Sequence, residues 1–433
     1  MMATISADSS MVFMGDIGND KGYIYKYIDN AWRISYSVVP EDTENGNSIY
    51  QTSLFGTFSV FSSDGKTLVV GGSSDNQGVG AVWVFKKNYQ DIYVQDQPKL
   101  VSSDYIGQPS QGWVVACDRN CSTIAFGGYT DGEDGKTGAA WVFRLLENGT
   151  YVQDSPKLVG LGGNGSCQGT FVTLNFEGNL LVTGANEDNN YVGAIWMFSK
   201  SNIGWSPLGS KIVPLNYDDT PGFGVAFAFN PAGDLLFVGG NLHHAKLGTV
   251  WIYSKNSTNA WNEYRSIELP NVLAQQEYED DYYFGSSISI SLDGSTLAIG
   301  APRANNGVGA AWIFSLDGNN VGNLPFKVVG NDSIGQSLQG VYLSLDANGS
   351  RIVISGQNDS NGIGAAWVFQ QDVMRARTES PTAVLKTRRP TQNSRSQKLK
   401  DIQLTSSGVR TSFAISYYFI VFLLISYPLF CFV

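Results

Sequence analysis

The 433-residue chain holds two histidines, four cysteines and little charge of either sign. The histidines are adjacent, His243 and His244, so no second, separate imidazole is at hand for a histidine-rich metal centre. Cys117, Cys121, Cys167 and Cys431 are too few and too scattered for a zinc ribbon or a disulfide scaffold. Charged residues make up 15% of the chain, against roughly 25% in an average protein. The net charge of -10 argues against a nucleic-acid partner, whose phosphates reward a basic face. The first 370 residues also lack a convincing 3.6-residue apolar period, which argues against helices. What the chain has instead is glycine, 49 residues of it, with 12% aromatic and 42% hydrophobic residues, enough for a large core.

The charge that exists is unevenly placed. Residues 371–433 carry nine basic and three acidic side chains, a net +6, leaving -16 on the first 370 residues. An acidic body, a basic linker at 371–412 and an apolar end at 413–433 are physically different pieces.

One hexapeptide recurs through the body. Gly80-Ala81-Val82-Trp83-Val84-Phe85 returns as Gly138-Ala139-Ala140-Trp141-Val142-Phe143 and as Gly193-Ala194-Ile195-Trp196-Met197-Phe198. It returns again around Trp251, Trp312 and Trp367, and a degenerate first copy places Tyr25 at the tryptophan position. Within each copy, short alternating runs are separated by turn residues such as Asp64-Gly65 and Asp293-Gly294, which predicts four strands per copy. Seven such units at nearly constant spacing predict an all-β, seven-bladed β-propeller over residues 1–370, each blade burying its faces against its neighbours. The recurring tryptophan is expected to fill the space between blades.

In the sixth copy Phe284-Gly285 opens the first strand and Gly300-Ala301-Pro302 closes the second. The chain thereby resembles FG-GAP repeat proteins of the integrin-alpha type over residues 3 to about 370. Phe55-Gly56 and Phe223-Gly224 match the opening, while Gln111-Gly112, Gln168-Gly169 and Gln339-Gly340 keep only its glycine. The resemblance implies a propeller used as a recognition surface, often outside the cell. The calcium loops of integrin-type repeats are not carried over, because Asp293-Gly294 is a hairpin turn with a single carboxylate and calcium needs six to eight oxygens.

The ends of the ring look incomplete in sequence. The first copy starts in mid-strand, and the seventh has no clear fourth strand after Phe369, with residues 383–386 the only candidate. A missing upstream segment would explain both gaps. The uncharged stretch 413–433 has the length of a transmembrane helix. Three topologies follow: a tail anchor with a cytosolic propeller, a lipid-anchor signal cleaved near Ser406-Ser407-Gly408, or an extracellular propeller on one pass. Sequons, including those at Asn148, Asn164 and Asn256, and the family resemblance favour the extracellular reading among the three. Cys117 and Cys121 flank a turn and are close enough to bridge in an oxidising compartment, with two free thiols as the other reading.

No catalytic constellation, cofactor motif or metal-ligand set is legible. The loops joining second to third strands, with those joining blades, are expected to form one ligand-binding face. It would carry Asp75, Asp131, Glu133, Asp134, Glu187, Asp188, Arg303, Asp359 and, from a blade connection, Tyr278 and Tyr282. The functional expectation is a membrane-tethered binding module for a protein or glycan. The alternative is a propeller hydrolase, glycosidase-like, with carboxylates in the central channel.

Overall fold

The computed structural model of the protein describes residues 2–370, except 30, 47–50, 164–165, 216, 218–219, 269–280 and 323–324, together with the backbone of Ser407–Val409. Seven antiparallel sheets each take their strands in chain order, as the repeat predicts. The innermost strands, which surround the central channel, are Ala3–Ile5, Phe55–Phe61, Val114–Cys117, Phe171–Leu174, Phe223–Phe229, Ser287–Ile290 and Tyr342–Leu345. The hexapeptides form the third strands, such as Ala139–Leu145 and Ala365–Gln370.

Two glycine positions explain why the motif repeats. In five blades the glycine that opens the third strand touches the next blade: Gly80 has φ +77°, and a Cβ there would meet the Gln111 carbonyl oxygen at 2.2 Å. The second contact joins the glycine near the end of one blade's second strand to the glycine at the start of the next blade's innermost strand. A Cβ on Gly127 would lie 1.9 Å from the Gly169 carbonyl oxygen, and one on Gly239 would lie 2.0 Å from that of Gly285. Backbone thus lies directly on backbone between blades, where no side chain fits.

The residue before that second glycine is phenylalanine or glutamine, for a physical reason. Phe55, Phe223 and Phe284 pack edge-on against Trp83, Trp251 and Trp312 at 5.4, 5.4 and 6.0 Å. Gln111, Gln168 and Gln339 instead pin the preceding connection: their Oε1 atoms accept the N–H groups of Ser102, Gly160 and Gly330. The tryptophans are buried, as expected of interblade filler. Several also spend their indole N–H inside the fold, Trp83 on Asp42 and Trp141 on Asp104. Burial alone would raise the Asp42 carboxyl, but hydrogen bonds from the Lys99 N–H, Gln95 and Trp83 outweigh it and hold the group below the usual carboxylate range.

The first copy is a full blade of four strands, with Ala3–Ile5 paired to Met11–Asp16. It meets the seventh blade directly. Ala3 N–H donates to Ser355 Oγ at 3.1 Å, Ala347 N–H donates to the Ala7 carbonyl at 2.9 Å, and Arg351 Nη1 donates to the Ser9 carbonyl at 3.0 Å. The fourth strand of the seventh blade is Ser407–Val409, antiparallel to Ala365–Gln370 with Trp367 opposite Gly408. The sequence reading sets Ser407 and Gly408 in a linker or at a cleavage site; their backbone belongs to the sheet. The candidate at 383–386, the rest of the linker and the apolar end at 413–433 lie outside the described residues. Among the described residues no helix is long and apolar enough to cross a membrane.

Candidate active site

Because neighbouring strands are antiparallel, the loop from second to third strand emerges at one end of each blade and the turn from first to second strand at the other. Four loops at the first end are built alike. Asn76 and Gln77, Asn189 and Asn190, Asn305 and Asn306, and Ser360 and Asn361 are successive residues with φ between 48° and 59°. Asparagine tolerates this left-handed conformation better than most residues, which accounts for its abundance here. Each loop then closes through a five-residue backbone bond, Gly80 N–H to the Asp75 carbonyl and Gly193 N–H to the Asp188 carbonyl.

This construction corrects the expected ligand face. Asp75, Asp131, Asp188 and Asp359 are buried, at 0, 1, 3 and 1% exposure. Asp75 accepts the Glu44 N–H and the Lys99 ammonium at 2.7 and 2.6 Å. Asp131 accepts the Ile106 N–H at 2.7 Å and pairs with Lys157 at 2.5 Å, and Asp188 pairs with Lys211 at 2.6 Å. Asp359 accepts the Ile334 N–H and the Ser360 hydroxyl. Removing these carboxylates from water is tolerable only with such partners, so they latch blade connections to loops and present nothing to a ligand. Tyr282 is buried near Trp312 at 6.3 Å. Glu133 and Asp134 are exposed, and Asp134 caps its own turn through the N–H groups of Lys136 and Thr137. Asp131, Glu133 and Asp134 do not converge on a cation. Tyr278 and Asn164 lie outside the described residues; Asn148 and Asn256 are exposed in turns. Cys117 and Cys121 are bridged.

Two expected residues remain, and they share one place. Glu187 and Arg303 line the central channel, a cavity of about 400 Å³. They sit at its loop end with Asn186, Asn241, Trp113, Tyr129 and Tyr283. Trp113 and Tyr129 meet edge-on at 5.0 Å, and the Arg303 guanidinium lies 5.8 Å from the Tyr283 ring centre. Deeper in the channel, Phe58 of the second blade and Tyr342 of the seventh meet at 5.3 Å. Burial pushes the Tyr342 phenol up to about 12, so it remains a protonated donor at neutral pH.

Glu187 is the free carboxylate at this end of the channel. No hydrogen bond from a described residue reaches its side chain, and burial raises its pKa above the ordinary glutamate value, with Lys136 only partly opposing. The other carboxylate lining the cavity, Asp118, belongs to a first-to-second-strand turn and hence to the opposite end. Asp118 is saturated by the Ser122 N–H, the Ser122 hydroxyl and the Thr123 N–H. Among the described lining residues, the carboxylate pair of a glycosidase is therefore missing. No group of three His, Cys, Asp or Glu among the described residues is placed to hold a metal ion.

No protein-family model and no curated protein matches the sequence. Solved structures do match in shape. Three of them are named as lactonases. A protein assigned as a 6-phosphogluconolactonase from Bacteroides fragilis aligns over 94% of this chain and 96% of its own, with 13% identity and a TM-score of 0.55. Its counterpart from Bacteroides uniformis aligns over 85% and 90%, with 13% identity and a TM-score of 0.54. The periplasmic gluconolactonase of Pseudomonas aeruginosa aligns over 84% and 92%, with 12% identity and a TM-score of 0.52. At these identities the likeness establishes the seven-bladed fold. These three neighbours carry lactonase names and none is an integrin-type protein; the expected membrane-tethered binding module is withdrawn.

Proposed function

We propose that the protein is a hydrolase that opens a small cyclic ester, of the sugar-lactone class, at the loop end of its channel. The observation that carries this reading is Glu187, a carboxylate with no hydrogen-bonded partner among the described residues, raised in pKa by burial and lining the central channel. A carboxylate so placed is a stronger base than one in water and is suited to removing a proton from a water molecule. The water oxygen adds to the ring carbonyl carbon. Collapse of the adduct breaks the ring carbon–oxygen bond, and Glu187 returns the proton to the departing alkoxide, leaving an open-chain hydroxy acid. One free carboxylate suffices for this sequence, whereas glycoside hydrolysis needs two. The lactonase names of the structural neighbours support the same reading. The FG-GAP likeness we take as repeat architecture, since its glycines are occupied with blade-to-blade contacts.

The test is a pH-stat assay with glucono-1,5-lactone, corrected for spontaneous hydrolysis. Because the base must be ionised, kcat/KM is expected to fall as pH drops through the raised pKa of Glu187, with the acid limb above the ordinary glutamate range. A rate equal to the uncatalysed one at every pH overturns the proposal.

A further inference from the structure

Tyr342 stands deeper in the channel than Glu187 and on its far side. Tyr342 pairs with Ser355 at the level where, in the fourth blade, Phe171 pairs with Gly184. Glu187 follows Gly184 by three residues toward the loop end, which sets it at most about 10 Å above that level. The two residues belong to the fourth and seventh blades, as far apart around a ring of seven as two blades can be.

The Tyr342 hydroxyl is unspent. Tyr93 and Tyr151, buried elsewhere in the ring, donate to the Gly65 and Cys121 carbonyls at 2.5 Å, as buried phenols ordinarily do. The Tyr342 hydroxyl bonds to no described residue, yet it is not sealed in the packing and stays open to the channel that Tyr342 lines. Phe58 meets the Tyr342 ring edge-on at 5.3 Å and braces it from the second blade.

The channel at this depth is also uncharged. Among the described lining residues the charged side chains are Glu187 and Arg303 at the loop end and Asp118 and Arg119 at the opposite end. A phosphate carried to the level of Tyr342 would leave water with no cation to receive it. A hydroxyl needs only one donor or acceptor, and a phenol offers both.

We propose that Tyr342 is the specificity contact of the site. Its hydroxyl bonds a remote hydroxyl of a lactone whose carbonyl faces Glu187, so the enzyme selects neutral polyhydroxy lactones over their phosphate esters. This assignment deepens the lactone-hydrolase reading and rests on it. Tyr342 touches the substrate but moves no proton; that step stays with Glu187.

The experiment compares wild type with Tyr342→Phe, which removes one oxygen and keeps the ring against Phe58. For glucono-1,5-lactone the variant is expected to raise KM about three- to tenfold, the net worth of one neutral hydrogen bond, with kcat little changed. For δ-valerolactone, the same ring without hydroxyls, both proteins are expected to perform alike, a separation that lost packing would not produce. Wild type should process the 6-phosphate of gluconolactone about tenfold less efficiently than the parent, or worse. Calorimetry with 1,5-anhydroglucitol, which has the ring and hydroxyls but no ester, reads the contact without turnover. Tyr342→Phe should weaken its binding by the same factor, and Glu187→Gln should leave it unchanged. A KM for gluconolactone unmoved by Tyr342→Phe, an equal rise for δ-valerolactone, or turnover of the 6-phosphate as good as that of the parent overturns the contact and leaves the hydrolase reading standing. If no lactone is hydrolysed while Tyr342-dependent binding of 1,5-anhydroglucitol persists, the hydrolase reading falls and the hydroxyl contact stands. Neither hydrolysis nor binding overturns both.

Discussion

Glu187→Gln should reduce lactone hydrolysis by about 10²–10⁴-fold, the usual contribution of a positioned general base, with KM little changed. The amide keeps the size and polarity of the side chain but takes no proton at neutral pH. Folding should be unaffected, because the side chain is fastened by no described hydrogen bond and faces the cavity. Initial rates at a pH well above the acid limb, with a thermal melt as control, read the effect. Activity within a few-fold of wild type would remove Glu187 from the mechanism.

The second large effect concerns the ring rather than the site. Gly127→Val should destabilise the propeller by about 3 kcal/mol or more, the range of severe overpacking. The added Cβ would lie 1.9 Å from the Gly169 carbonyl oxygen and 3.1 Å from its Cα, both backbone atoms of the next blade that cannot turn aside. The blades must separate or shift to admit it, and a closed ring cannot open one seam without disturbing the rest. Denaturant unfolding of the variant beside wild type measures the loss. A midpoint unchanged within error would mean that the third and fourth blades do not meet backbone to backbone.

These two predictions separate what the sequence exposes from what it conceals. The ring was legible because its physics repeats: a tryptophan on the third strand of six blades, and glycines where one blade's backbone rests on the next. The fourth strand of the seventh blade was not legible, because Ser407–Val409 is too short and too distant from Gln370 to display a pattern. The candidate site was half legible, and recurrence misled there. Asp75, Asp131, Asp188 and Asp359 drew attention as acidic loop residues, yet an aspartate kept at the same place in copy after copy is part of the scaffold, latched to connections and, in three blades, to lysine.

The informative positions are those at which the copies differ. One residue before the latch, the loops carry Ser74, Thr130, Glu187, Leu242, Arg303 and Asn358. Only two of these are charged, and both line the channel. A rotationally repeated fold can place a single chemistry at its axis only by breaking its own symmetry, so differences between aligned copies were the available signal. In blades two to seven the residue just after the second strand also varies, as Ser73, Tyr129, Asn186, Asn241, Pro302 and Gln357.

The most direct measurement is a crystal structure of Glu187→Gln soaked with glucono-1,5-lactone. The account predicts a sugar ring at the loop end of the channel, its carbonyl carbon facing the residue at 187. A ring bound at the opposite end beside Asp118 and Arg119, or on the outer rim of the blades with the channel mouth empty, would contradict it.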